Sequence, residues 1–251
     1  MKIGFIGTGS GKTSLSRYHS SLLFAGIDYN LLVDAGDSVS RALLNQKIPY
    51  NSINGILISH LHPDHYNGLA ELIVQMKMED RQTPLSIFVH HTLVKTIKDF
   101  LQSSYVFMER MDFNIEFTGF SFEHEIFITS ELSFISRGNT HLQKYQKHDA
   151  SLSYVSGSFL FKSGESNIFY SGDIGSAEDL FLFKDFPVNI FITETTHAAI
   201  DEIINAVRQL KPGKIFLTHL DDDDLPVLIS KIENAKDFSF VIAEDGLYLS
   251  V

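Results

Sequence analysis

One segment, residues 56–65, constrains this chain more than any other. Its apolar start, residues 56–58, is typical of a buried strand, and three histidines and one aspartate then follow within six residues. Pro63 forces a turn between them and suits the beginning of a helix that residues 66–73 continue. Polar side chains on the two sides of this turn therefore face one point from two directions.

These side chains are His60, His62, Asp64 and His65. Imidazole and carboxylate ligands together suit a transition-metal ion such as Zn, Mn or Fe better than a Ca or Mg cage. A solvated polar loop is the alternative interpretation. Because apolar residues flank all four groups, the sequence predicts a metal site instead.

Composition limits the domain organisation and the cellular compartment. A chain of 251 residues with 44% hydrophobic content can bury one large core, so we expect residues 1–251 to form a single domain. The chain has no cysteine, which excludes disulfides, thiolate zinc ligands and a cysteine nucleophile. We find no apolar run of the length of a membrane span and no signal peptide, and therefore predict a cytoplasmic protein without membrane partners.

Charge limits the partners. The chain has 20 Lys plus Arg against 31 Asp plus Glu, and its net charge is −11. Such a field repels a polyanion, so extended nucleic acid is not the expected partner. A small molecule is the expected substrate, and a homodimer is the assembly left open.

The order of elements indicates the fold class. Short β-rich runs alternate with amphipathic helices in both halves of the chain, including a helix over 66–76 and a strand over 152–155. This order predicts an α/β protein built as a four-layer αββα sandwich.

Three places in the chain resemble one family. The pattern His60-x-His62-x-Asp64-His65 after a strand resembles the signature of the metallo-β-lactamase superfamily. Residues 7–10, 20–24 and 31–36 resemble the N-terminal strands of its tRNase Z-like and phosphodiesterase-like branch. Residues 168–173 and 215–219 resemble its strands that carry a bridging aspartate and the last histidine. The resemblance implies the metallo-β-lactamase fold.

The resemblance also implies the remaining ligands. Asp173 matches the bridging aspartate, for which the alternative is an N-cap of a helix over 177–182. His219 ends an apolar run and matches the last histidine. For the third histidine, His141 at a predicted strand end is favoured over His148, which lies seven residues later.

These residues suit two divalent ions, with Zn the first expectation and Mn or Fe the alternatives. His60, His62 and His141 are expected to hold one ion, and Asp64, His65 and His219 the other, with Asp173 and a water or hydroxide between them. Such a pair is typical of hydrolases. The missing cysteine distinguishes the chain from the zinc β-lactamases, and His62 stands where the flavin-linked di-iron oxidoreductases usually have Glu.

A proton donor is expected near residue 194. Glu194 and His197 follow an apolar run and resemble the acidic and histidine motifs of the tRNase Z-like branch, at a shorter spacing. We assign catalytic roles to Asp64, His197 and Glu194, with His197 as donor and Glu194 orienting it. The alternative is a helix start capped by Thr196. Asp34 is expected to support a ligand histidine.

The sequence therefore predicts a dinuclear metal-dependent hydrolase. A phosphodiesterase acting on a small or cyclic nucleotide-like substrate is the first expectation. Ester, thioester or lactone hydrolysis by the same centre is the alternative within enzymes. A non-catalytic metal-binding or nucleic-acid-associated module is the alternative outside them.

Overall fold

The computed structural model describes all 251 residues and divides them into two compact units. The first unit comprises Met1–Ser121 and Glu244–Val251, and the second comprises Phe122–Ala243. Each unit contains one seven-stranded mixed sheet. The expectation of a single domain over residues 1–251 stays a prediction.

The sheet of the first unit has the spatial order β14-β1-β2-β3-β4-β5-β6. Its strands are β1 (Lys2–Gly7), β2 (Ser21–Ala25), β3 (Asn30–Val33), β4 (Gly55–Leu57), β5 (Leu85–His90), β6 (Ile115–Phe120) and β14 (Tyr248–Ser250). Its helices are α1 (Val39–Asn45), α2 (Pro63–Tyr66), α3 (Leu69–Met78) and α4 (Val94–Ser103).

Four neighbouring strands of this sheet, β3 to β6, run parallel. Residues of both side-chain orientations are buried along β3 and β4, as is usual for parallel strands. Because parallel strands end at the same edge, the residues that follow β3 and β4 lie near each other. These are the segments that carry Asp34 and the histidine motif.

The sheet of the second unit has the spatial order β13-β12-β11-β10-β9-β8-β7. Its strands are β7 (Glu125–Phe127), β8 (Ser133–Gly138), β9 (Gly157–Ser163), β10 (Ser166–Tyr170), β11 (Ile190–Glu194), β12 (Lys214–Thr218) and β13 (Phe240–Ile242). Its helices are α5 (Ile200–Leu210) and α6 (Leu225–Asn234). Strands β10 to β13 are parallel, so β10, β11 and β12 also end at one edge.

Apolar packing fixes the edge of the second unit. Phe169 of β10 stacks on Phe191 of β11 with 4.9 Å between ring centroids, and Phe183 meets Phe169 edge-on at 5.2 Å. Ile203 and Val207 of α5 complete this fully buried cluster. The strands that lead to Asp173, Glu194 and His219 are therefore held against a close-packed core.

Two predicted elements are wrong. The strand over 152–155 is absent, since this segment pairs with no other strand and Leu152 is 59% exposed. The helix over 66–76 is interrupted between Tyr66 and Leu69. At the break the N–H of Gly68 donates to the carbonyl of Ala35, and a Cβ at Gly68 would lie 2.3 Å from the carbonyl oxygen of Gly36. The helix breaks because the chain bonds to the loop after β3.

No helix of the structure combines the length and apolar character that crossing a bilayer requires.

Candidate metal centre

The histidine motif lies where β4 ends and α2 begins. His60 and His62 follow the strand, Pro63 is the first residue of α2, and Asp64 and His65 lie on that helix. The rings of His60 and His62 are 4.8 Å apart between centroids, and those of His60 and His65 are 4.1 Å apart. The Nε2 atom of His65 lies 3.4 Å from Oδ2 of Asp64. The structure thus brings the four motif residues together, with only His62 half-exposed.

Asp34 holds this motif from the end of β3. Its carboxylate accepts hydrogen bonds from the backbone N–H of Ser59 at 2.7 Å and from the Ser59 hydroxyl at 2.8 Å. The Nδ1 atom of His65 lies 2.8 Å from Asp34 Oδ2. The contact expected between Asp34 and a ligand histidine is therefore present, and all of it is buried.

The second unit brings together three further predicted ligands, each after a different strand. His141 follows β8, Asp173 follows β10 and His219 follows β12. Oδ2 of Asp173 lies 3.7 Å from Nε2 of His141 and 3.4 Å from Nε2 of His219. Gly172 has the positive φ of 57° that the turn before Asp173 requires. The side chains of all three predicted ligands are buried.

The alternatives weighed for these positions are not seen. The turn over residues 177–181 is capped by Ser176 and Asp179 in a reciprocal pair of hydrogen bonds, so Asp173 is not its N-cap. His148 is exposed, and its ring is near only that of Tyr145, at 6.5 Å between centroids. The geometry favours His141 as the third histidine.

The distances within each unit fit a tetrahedral transition-metal ion. Two ligand atoms ~2.1 Å from Zn²⁺ at the tetrahedral angle lie ~3.4 Å apart. The distances from Nε2 to carboxylate oxygen at His65, His141 and His219 are 3.4, 3.7 and 3.4 Å. These values exceed an ordinary N–H···O hydrogen bond and match the spacing of two ligands on one ion.

The outer nitrogens of the same rings point to other partners. Nδ1 of His65 meets Asp34, Nδ1 of His141 meets the carbonyl of Ile174 at 3.2 Å, and Nδ1 of His219 meets the Thr196 hydroxyl at 3.0 Å. Histidine ligands commonly bind metal through one nitrogen while the other is fixed in this way. The donor set therefore fits a metal through Nε2.

Glu194 ends β11 and is the centre of a hydrogen-bond network. Oε1 lies 2.9 Å from Nδ1 of His197 and accepts from the N–H of Ile174. Oε2 accepts from the N–H groups of Thr196 and His197 and from the Thr196 hydroxyl. The carboxylate is buried, whereas the side chain of His197 is 30% exposed.

The charges of Glu194 and His197 support each other. Burial raises the pKa of the Glu194 carboxyl, but the hydrogen bond from His197 and the charge of His219 outweigh it and leave this pKa below its ordinary value. The same hydrogen bond raises the pKa of His197 against the opposing effect of burial. This geometry fits a protonated His197 held by an ionised Glu194.

Two hydroxyl groups of the site escaped the sequence analysis. Ser59 directly precedes the first motif histidine, and Thr196 lies between Glu194 and His197. The sequence offered Thr196 as a helix cap, but α5 begins at Ile200 with Ala199 as its N-cap residue. Ser59 lies beside a predicted metal-binding histidine, which is a signal in the sequence, whereas Thr196 lies beside the predicted donor His197 and far in sequence from His219.

Comparison with known proteins finds one kind of relative that matches nearly the whole chain and another that matches about half of it. A family model described as Anti-Pycsar protein Apyc1 matches residues 1–244. The Anti-Pycsar protein Apyc1 of Bacillus phage BSP38 is 29% identical over 240 residues, which cover 88% of this chain and 90% of that protein. Ribonuclease Z of Saccharolobus solfataricus is 37% identical over 118 residues, 47% of this chain and 39% of the enzyme.

A solved structure shares the fold. The metallo-β-lactamase fold protein YhfI from Bacillus subtilis superposes with a TM-score of 0.77 at 18% identity, over 99% of this chain and 98% of that one. The predicted α/β class and metallo-β-lactamase fold are confirmed.

Proposed function

The chain belongs to the Anti-Pycsar protein Apyc1 family, and from this membership we propose that it is a metal-dependent hydrolase that uses two ions to cleave a phosphodiester in a small or cyclic nucleotide-like substrate. The proposal includes the ligand set, the proton donor and the substrate class.

The position of Asp173 carries the proposal. One oxygen of its carboxylate lies at ligand-to-ligand spacing from both His141 and His219. A carboxylate that bridges two ions needs a ligand of each ion beside it, and these histidines belong to the two different predicted sets. In this proposal His60, His62 and His141 would hold one ion, Asp64, His65 and His219 would hold the other, and Asp173 would be a ligand of both.

Two such ions supply a water of lowered pKa and neutralise charge on the phosphoryl oxygens. Residues of the chain do the rest. The Asp173 and Asp64 carboxylates offset the positive charge of the centre, and Glu194 orients His197. The hydrogen bond to Glu194 raises the pKa of His197 and so favours its protonated form, and its partly exposed ring can give that proton to the leaving oxygen.

A polar cavity of the first unit supports a small phosphorylated substrate. It has a volume of about 500 Å³, within the range of ligand pockets. Arg17 and Arg41 line it, and guanidinium groups suit phosphate oxygens. Asp245 also lines it but accepts hydrogen bonds from the backbone N–H groups of Thr8 and Tyr18. An acyl substrate calls for a largely apolar pocket, which this one is not.

One lining residue of the cavity packs toward the histidine motif through Gly36. His19 lines it, and Gly36 packs between His19 and the backbone of Asp64, since a Cβ at Gly36 would lie 2.7 Å from His19 Cβ and 2.1 Å from the Asp64 carbonyl oxygen. In this proposal a substrate in the cavity is separated from the Asp64 segment by His19 and Gly36. The net charge of −11 further favours a substrate with few phosphates over a polynucleotide.

Steady-state kinetics on the zinc-loaded chain test this function. We expect bis(p-nitrophenyl) phosphate and a 3′,5′-cyclic nucleotide to be cleaved faster than p-nitrophenyl phosphate, whose extra charge the acidic protein disfavours. A lactone and a thioester serve as acyl substrates, and the Asp173→Asn protein serves as the control for contaminating phosphatases. Faster turnover of an acyl substrate by orders of magnitude, with inert diesters, would overturn the proposal.

A further inference from the structure

Each unit contains a buried carboxylate that contacts one histidine directly and a second through a hydroxyl. In the first unit Oδ2 of Asp34 lies 2.8 Å from Nδ1 of His65. The same oxygen lies 2.8 Å from the Ser59 hydroxyl, which in turn lies 3.1 Å from Nδ1 of His60. One carboxylate thus reaches two residues of the histidine motif.

The second unit repeats this arrangement with different residues. Oε1 of Glu194 lies 2.9 Å from Nδ1 of His197, and Oε2 lies 2.8 Å from the Thr196 hydroxyl. That hydroxyl lies 3.0 Å from Nδ1 of His219. Nδ1 of His219 is 3.9 Å from the carboxylate itself, too far for a direct hydrogen bond, so the hydroxyl spans the gap.

We propose that Ser59 and Thr196 are positioning residues, whose hydroxyls hold His60 and His219 in the tautomer protonated at Nδ1 and so present Nε2 to the metal. The inference rests on the ligand set of the proposed function. The inference adds Ser59 and Thr196 to the residues that support the proposed ligands and assigns the same positioning role to both.

The direction of the hydrogen bonds follows from counting protons. A hydroxyl has one proton, and an ionised carboxylate can only accept. Each hydroxyl therefore donates to its carboxylate and must accept from the histidine, which places the imidazole proton on Nδ1. Thr196 also lies 3.1 Å from Nδ1 of His197, but that nitrogen is closer to the Glu194 carboxylate, at 2.9 Å.

Strand topology explains why a hydroxyl is needed. Asp34 follows β3 and Glu194 ends β11, whereas His60 and His219 follow the parallel neighbours β4 and β12. Ser59 comes from the strand of its histidine, and Thr196 comes from the strand of its carboxylate. The hydroxyl thus follows the strand of the histidine in the first unit and the strand of the carboxylate in the second. The two units therefore share the carboxylate-hydroxyl-imidazole geometry but not the local sequence.

Competition with a chelator measures the zinc affinity of the zinc-loaded chain and so tests this role. We expect Ser59→Ala and Thr196→Val each to raise the zinc dissociation constant of one site by about 10- to 100-fold, the usual effect of losing such a partner. Ser59→Thr and Thr196→Ser keep a hydroxyl and should restore affinity.

Ser40→Ala is the matched control for the buried Ser59, and Thr218→Val is a stricter control for the exposed Thr196, because Ser40 and Thr218 are buried and their hydroxyls have no hydrogen-bond partner. The proposal would be overturned if Ser59→Ala and Thr196→Val retained zinc as well as these controls do.

Imidazole ¹⁵N NMR of the zinc-loaded chain shows which ring nitrogen carries the proton. A general loss of stability would not produce the same change in this signal. We expect a slowly exchanging Nδ1–H signal from His60 and from His219. The His219 signal should exchange rapidly in Thr196→Val and slowly in Thr196→Ser. A proton on Nε2 of either histidine would contradict the proposed tautomer.

The ligand variants His60→Ala and His219→Ala, measured alongside, separate the two proposals. Full zinc retention in these variants would overturn the ligand set, and the hydroxyl role with it. Loss of zinc in the ligand variants with full retention in the hydroxyl variants would overturn the hydroxyl role alone.

Discussion

At the scale of single residues, the charge of Asp173 is expected to matter more than its size. Asp173→Asn preserves the volume of this buried side chain and removes the charge that would bridge two ions. We expect the fold to persist, zinc content to fall from two ions per chain toward one, and turnover to fall by several orders of magnitude. Elemental analysis and diester kinetics measure this, with exposed Asp28→Asn as the control. Unchanged turnover would reject Asp173 as the bridge.

His141 and His148 form a natural pair of test and control. His141 is buried with Nε2 facing Asp173, whereas His148 is exposed. His141→Ala should therefore lower zinc occupancy, and His148→Ala should leave it intact. Zinc measured by elemental analysis after gel filtration decides between them. The reverse pattern would transfer the ligand role to His148.

His197 is expected to act on the leaving group and not on the ions. Losing a general acid typically costs about 10²- to 10⁴-fold in rate, so His197→Ala should lower kcat for the diester within this range at unchanged zinc content. His124→Ala, at an exposed histidine, is the control. A proportional loss of zinc in His197→Ala would indicate a structural role instead.

The residues to which we assign the chemistry could be proposed from sequence because they follow or end predicted strands. The His60–His65 segment, Asp173 and His219 all come directly after apolar runs. Their hydrogen-bond partners could not be identified in this way, since Thr196 reaches His219 across two neighbouring strands. Ser and Thr are common at strand ends for reasons unrelated to metal binding, so their type alone carries little information.

At the scale of elements, Arg137 of β8 binds the segment that follows the turn over residues 177–181. Its guanidinium forms two hydrogen bonds with Asp185, contacts the carbonyl of Leu182, and lies 5.0 Å from the ring centre of Phe183. These contacts combine charge, a paired hydrogen bond and an aromatic face. We infer that Arg137 stabilises the second unit near the strand that leads to His141.

This contact predicts a dependence of stability on pH. The hydrogen bond from Arg137 lowers the pKa of Asp185 below its ordinary value of 3.8. A carboxyl whose pKa is lowered by folding adds stability above its unfolded pKa and loses it as pH falls through the folded value. Urea denaturation should show Asp185→Asn less stable than the unmodified chain at pH 7, with the difference closing below pH 3.8. Asp28→Asn should show no such difference, and a constant gap at all pH values would contradict the assignment.

Most elements follow from hydrophobic periodicity, and the exceptions have physical causes. In helix α1 the apolar residues Val39, Ala42 and Leu43 recur at helical spacing and are buried. The segment 152–155 has the apolar content of a strand but no partner, and pairing cannot be read from local pattern. The break before α3 depends on the close approach of Gly36, which is a tertiary contact.

At the scale of the whole molecule, a net charge of −11 predicts how catalysis responds to salt. Salt screens the repulsion between the acidic protein and its substrate, and a substrate with one phosphate neutralises few charges on binding. We therefore expect kcat/KM for a cyclic nucleotide to change by less than about 4-fold between about 50 and 200 mM salt. A polynucleotide held by 6 to 10 phosphate contacts would lose roughly 10³- to 10⁵-fold over the same interval. Kinetics at fixed zinc occupancy, checked by elemental analysis at each salt concentration, distinguish these cases. Two results would together identify a polynucleotide as the substrate: a steep fall of kcat/KM for single-stranded RNA with salt, and faster cleavage of RNA than of the cyclic nucleotide at low salt. The proposed metal chemistry would then stay unchanged.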